Sequence, residues 1–210
     1  SEVAYCRRRA EAMLENASPL MEIYREDGAA RLNAFLLADS RTPGRRRHIL
    51  YTPPLCTMEP DYLAALLEKQ GLPAEERQRI CAYAQTRREQ LEAILLTDTV
   101  HQELPRLSEQ AFAQFPPSLP LSGLFCGQDV PYTYETYLAH LAQTEAFAAA
   151  HPRYELEFAG GGAFRNLQIC IHVGQWAIVS KEKSPAIHFV IRHPKLRAAI
   201  ERFVPPVVEE

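Results

Sequence analysis

The residues best equipped for chemistry gather in the last third of this 210-residue chain. Gln168, His172 and Cys170 alternate with Leu167, Ile169, Ile171 and Val173, and Lys181 and His188 follow on two further segments of strand-like composition. A strand period of two would turn the apolar set toward a core and gather Gln168, His172, Lys181 and His188 on the opposite face or near an edge. Arg165 and Asn166 stand just before the first of these segments. Tyr132, Tyr134, Tyr137 and His140 add hydroxyl and imidazole groups from a helical stretch. Aromatic walls with a few cationic and amide groups suit a small anionic or polar ligand. The same residues would serve equally as half-buried packing tyrosines and solvated turn lysines. Arg45-Arg46-Arg47-His48 is a second candidate, since the planar guanidinium fork matches phosphate, although three arginines beside a turn also make a solvated edge. The candidate ligand-binding set is therefore Arg47, His48, Tyr134, Tyr137, His140, Arg165, Gln168, Lys181 and His188.

No catalytic signature accompanies them. H-E-x-x-H, G-x-S-x-G and G-x-x-x-x-G-K-[ST] are all absent. Gly160-Gly161-Gly162 joins two strand-like segments and leads into no helix that could hold a phosphate. His172, His188 and His193 would share a metal only if register put the first two on one face, and no Cys or carboxylate stands at ligand spacing beside them. We expect no metal, no cofactor and no catalytic residue. The enzymatic alternative, acting on a phosphorylated or acidic small molecule on an α/β scaffold, would need His188, Lys181 and Arg165 to meet.

The elements that must position these groups change period along the chain. Glu2 to Leu14 reads as a polar helix, with residues 1–16 as a leading connector and 17–210 as a single domain, softly divided near 116–131. His48 to Thr52 reads as a short buried strand stopped by Pro53-Pro54. Tyr62, Leu63, Leu66 and Leu67 mark a helix ending near Gly71; Ile80, Tyr83, Ala84, Leu91, Ile94 and Leu95 mark a longer one. Thr97–Leu104 reads as a strand and Ser108–Phe115 as a short helix. Pro116 to Pro131 reads as an ordered loop or lid. Thr133 is a plausible N-cap for a long helix burying Tyr134, Tyr137, Leu138, Leu141 and Ala148. Tyr154–Phe158, Leu167–Val173, Trp176–Lys181 and Ala186–Ile191 alternate as strands, and Pro194 opens a terminal helix. The expected class is α/β (α+β): a mixed sheet with a C-terminal antiparallel meander, helices lying on one side.

Composition narrows the function. Hydrophobic residues make up 47% of the chain, and 23 Lys plus Arg stand against 26 Asp plus Glu for a net charge of -3. That excludes a polar disordered chain and argues against a dedicated nucleic-acid module. No apolar run approaches the roughly 20 residues of a membrane helix, so no membrane partner is expected. Five scattered cysteines without C-x-x-C fit a reducing cytoplasm.

Several strings resemble the C-terminal portion of bacterial Xre-type helix-turn-helix regulators. They are Arg47-His48-Ile49-Leu50-Tyr51-Thr52-Pro53-Pro54-Leu55, Tyr132-Thr133-Tyr134-Glu135 with Tyr137 and His140-Leu141, and Phe164-Arg165-Asn166 with Gln168-Ile169. The strongest run from Trp176 through Ser180-Lys181 to Pro185, then Ile187 to Ile191 and His193-Pro194-Lys195-Leu196. The resemblance implies a ligand-sensing, oligomerising effector domain, a homodimer that meets DNA only through a separate N-terminal domain. It supplies no ligand, and the sequence contains no helix-turn-helix segment.

Overall fold

The computed structural model describes residues 20–24, 28–121, 130–159, 167–181 and 187–203. The leading polar helix, Gly160-Gly161-Gly162, Arg165 and much of the Pro116–Pro131 segment lie outside these residues. Within them one seven-stranded sheet runs in the order β1-β7-β6-β5-β2-β3-β4. The strands are β1 (Met21–Tyr24), β2 (Arg46–Ile49), β3 (Val100–Pro105), β4 (Tyr154–Ala159), β5 (Leu167–His172), β6 (Trp176–Lys181) and β7 (Ile187–Ile191). The helices are α1 (Ala29–Asp39), α2 (Pro60–Lys69), α3 (Ala74–Leu95), α4 (Glu109–Gln114), α5 (Tyr134–Ala150) and α6 (Pro194–Phe203), with a 3-10 turn at Leu55–Thr57.

The sheet has two halves of different hand-to-hand order. β2, β3 and β4 are parallel neighbours, joined by α2 and α3 and then by α4 and α5. β5, β6 and β7 form an antiparallel meander that docks on β2 through β5, and β1 closes the far edge against β7. The mixed α/β class and the C-terminal meander are as the alternation predicts. Tyr154–Ala159 is no part of the meander: it pairs in parallel with β3 at the opposite edge. A parallel partner requires a helical crossover, and α5 supplies it. Helices also cover both faces. α1 packs Leu32 and the half-buried Phe35 and Leu36 around Trp176, Ile178 and Val190. On the reverse face Ile200 of α6 meets Ile49, Ile169, Ile171 and Ala177.

Local chemistry explains the element ends. The Thr133 hydroxyl accepts the Thr136 amide at the start of α5, and Ser108 does the same for Ala111 at α4. Gly174 reverses the chain between β5 and β6 at φ +78°, a left-handed turn that glycine enters without strain. The main core lies under α2, α3 and α5, where Leu63, Leu67, Ile80, Leu104 and Tyr137 are almost wholly buried. Burying each such aliphatic side chain contributes about 1.5–3 kcal/mol. Leu138, expected inside, is exposed. The inward stripe of α5 instead carries Thr136, Tyr137, His140, Leu141, Thr144 and Phe147.

Candidate functional site

Strand register fixes which side chains share the face under α1 and α3. One row reads Trp176, His172, Arg46, Val100, Tyr154; the next reads Val190, Ile178, Cys170, His48, Gln102, Leu156. A third begins His188, Ser180, Gln168. A cavity of about 170 Å³ lies over these rows, at the seam where β2 meets β5 and the sheet changes from parallel to antiparallel. α1 roofs it from one side with Leu32, Leu36 and Asp39, and α3 from the other with Tyr83, Arg87 and Ile94.

Arg46 and Asp39 build the wall at the end of α1. Arg46 is 1% exposed. Its Nη2 donates to the Asp39 carbonyl at 2.9 Å, the Thr42 carbonyl at 2.7 Å and Asp39 Oδ2 at 3.2 Å, and its Nη1 to the Gly44 carbonyl at 2.9 Å. A guanidinium thus satisfies the carbonyls at and just beyond the C-terminal end of α1, where the helix dipole favours a cation. Asp39 Oδ1 accepts from His172 Nδ1 at 2.8 Å and from Trp176 Nε1 at 2.7 Å. Burial alone would raise the Asp39 carboxyl; the hydrogen bonds from His172 and Trp176, with the charges of His172 and Arg46, hold it below its usual range. Gly44 is required here, for at φ +150° an added Cβ would stand 2.2 Å from His172 Nε2.

Two guanidiniums, Arg46 and Arg87, border the cavity. Arg87 Nη1 donates to Gln90 Oε1 one turn along α3. Among the described residues no carboxylate lies within ion-pair distance of Arg87, whereas Arg46 has Asp39 at 3.2 Å and Asp98 at 4.0 Å. Burial, then the charges of Arg87 and Arg46, push the His48 imidazole down to about 4 against weaker opposition from Gln102 and Asp39, so His48 is neutral at pH 7. Three lining residues hold buried polar atoms without a hydrogen-bond partner: Arg46 Nε, the Tyr154 hydroxyl and the acceptor Gln102 Oε1. Burial pushes the Tyr154 phenol well above its ordinary value and also raises the Cys56 thiol and the Tyr83 phenol. The lining thiol Cys56 is therefore a poor source of thiolate.

The expected site residues divide sharply. His48, Gln168 and His188 line the cavity, and Ser180 Oγ lies 2.6 Å from His188 Nδ1. Arg47 and Lys181 alternate to the reverse face, Arg47 with its guanidinium 4.0 Å from Glu103. The three arginines thus form no common patch, because a period of two separates Arg46 from Arg45 and Arg47. Tyr134, Tyr137 and His140 stand in the core behind α5, away from the cavity lining. Tyr137 donates to the Pro105 carbonyl and accepts the Leu107 amide, both at 3.0 Å, and Tyr134 donates to the Leu107 carbonyl at 3.3 Å. Arg165 lies outside the described residues. His172 and His188 do share a face, but His172 is held by Asp39; among the described residues no group of three His, Cys, Asp or Glu side chains could hold a metal.

Arg87, Gln90, Gln102 and Tyr154 were not legible as site residues from the chain alone. Arg87 carried a signal: it falls on the stripe Ile80, Tyr83, Ala84, Leu91, Ile94, where an apolar residue belongs. Among the described residues no helix is long and apolar enough to cross a membrane. No family model matches the chain, and no curated protein matches it either.

Proposed function

We propose that this chain is the ligand-sensing and oligomerising effector domain of a cytoplasmic transcriptional regulator, one that meets DNA through a separate domain. The observation that carries the reading is the cavity at the β2–β5 seam, roofed by two helices and lined by residues with buried polar atoms that lack hydrogen-bond partners. Proteins seldom leave such atoms unmatched unless a ligand or ordered water takes them. The resemblance of the Trp176–Leu196 strings to Xre-type regulators supports the same reading. The mechanism is linkage: a ligand that prefers one setting of α1 against α3 shifts the population of that setting, and with it the pairing of two copies. α1 is the first described helix, next in sequence to the end at which the resemblance expects the DNA-binding domain. A thermal-shift screen of small metabolites, paired with sizing, tests it. The expected outcome is a dimer and at least one compound that raises Tm; a strict monomer without any binder would overturn it.

The enzymatic alternative keeps one observation, the Ser180–His188 hydrogen bond at the cavity wall. It loses the reactive set first expected, because Lys181 and His188 project from opposite faces. Hydrolysis of activated esters that disappears in Ser180→Ala would favour it.

A further inference from the structure

We infer that the cavity takes a small monocarboxylic acid of about one ring's bulk, with its carboxylate on Arg87 and its body against α1 and α3. This rests on reading the cavity as a ligand site. Charge selects the class. Among the described residues the lining carries two guanidiniums and one carboxylate; Arg46 has Asp39 at 3.2 Å and, outside the lining, Asp98 at 4.0 Å, whereas Arg87 has no carboxylate within ion-pair distance. An anion bound there would give Arg87 the counter-charge that Arg46 already has. The lowered proton affinity of His48, caused after burial by Arg87 and Arg46, reports the same positive field from a third side chain.

The donors fit a carboxylate as well. Arg46 Nε and the Tyr154 hydroxyl sit in one row two strands apart, about 10 Å between their Cα atoms. Both are closed off from water-sized space, so they would meet the oxygens of an anion only if their side chains turned toward the cavity. A phosphate fits less well. The walls are strand side chains and helix flanks, and α1 turns its C-terminal end to the cavity, the end that repels anions until Arg46 neutralises it. Size sets the body. Cavities of about 150 Å³ admit one benzene-sized molecule, and this one measures about 170 Å³. Leu32, Leu36, Leu91, Ile94, Trp176 and Ile178 give the body an apolar lining.

Isothermal titration of the full chain tests the class, with benzoate, phenylacetate and isovalerate set against their amides and against inorganic phosphate. The expected result is binding of at least one acid at least tenfold tighter than its amide. Arg87→Gln should erase that preference, and Leu91→Trp, which fills the space without touching the charge, should abolish binding. The proposal is overturned by equal affinity for acid and amide, by preference for phosphate, by acid binding unchanged in either variant, or by no acid binding at about 10 mM. If circular dichroism shows Arg87→Gln unfolded, Arg87→Lys and the acid-to-amide ratio of the unaltered protein decide the matter. The effector reading is judged separately: a neutral or phosphorylated compound that raises Tm leaves it standing while the carboxylate assignment falls.

Discussion

Two buried polar centres lie on the same side of the sheet, and they differ in one respect. On the inward stripe of α5, His140 is fully buried and both of its ring nitrogens are matched. Its Nδ1 accepts from the Tyr132 hydroxyl at 2.7 Å, its Nε2 donates to the Pro54 carbonyl at 3.1 Å, and Thr144 Oγ1 donates to the His140 carbonyl at 2.9 Å. Thr57 Oγ1 and Thr144 Oγ1 stand 2.7 Å apart and close the knot. At the β2–β5 seam, by contrast, Arg46 Nε, the Tyr154 hydroxyl and Gln102 Oε1 have no partner, and among the described residues no carboxylate lies within ion-pair distance of Arg87. A matched buried network specifies a fold; an unmatched one lowers stability unless something else binds it. The contrast separates a matched polar cluster from one with unmatched groups without any signature motif.

Replacing His140 by Leu should break that contrast most violently. It strips the Tyr132 hydroxyl of its His140 partner inside the core and leaves the Pro54 carbonyl only its Thr57 donors, and we expect a loss of about 2–4 kcal/mol in urea unfolding. Acidification should act next. Burial pushes His140 to about 3, and burial with the two guanidiniums pushes His48 to about 4. The unfolded chain then takes up protons near pH 6.5 that the native state refuses. Stability should be flat above pH 7 and fall as pH drops from about 6.5 toward 4; urea midpoints at several pH values would show it, with a shallower decline in His140→Leu. A matched pair of hydroxyl deletions sharpens the comparison further. Tyr132→Phe should cost about 1–3 kcal/mol by orphaning His140 Nδ1, whereas Tyr154→Phe, which removes a hydroxyl that bonds nothing, should stay within about 0.5 kcal/mol or gain slightly. Arg87→Gln should cost about 0.5–1.5 kcal/mol, since no ion pair is lost among the described residues but the buried Gln90 Oε1 loses its donor, measured by thermal unfolding alongside its loss of acid binding.

Much of the architecture was readable because local rules carried it. Pro194 opens α6, Thr133 caps α5 and Gly174 turns β5 into β6, each through backbone chemistry confined to a few residues. The site was readable only where a strand's alternation is unambiguous. Gln168 and His188 could be placed with the cavity, and Lys181 fell to the wrong side because the phase of β6 against its neighbours is a register property. Tyr134, Tyr137 and His140 have the residue types of a binding site, and nothing in the chain says that Leu107, Pro105 and Pro54 already occupy their polar atoms.

The order of residues alone settled the helix caps, the turns, the apolar stripes and the switch from helical to alternating period, since these depend on neighbours within a turn or two. Which strand lies beside which, and so which polar atoms find partners, was decided by packing between segments far apart in the chain, 137 residues in the Trp176–Asp39 hydrogen bond and 170 in the Arg192–Glu22 one. Arg46 and Arg87 are both arginines on otherwise inward-facing stripes. Only the fold gives one of them Asp39 and leaves the other its charge, because Coulomb pairing depends on distance in space and not on distance along the chain.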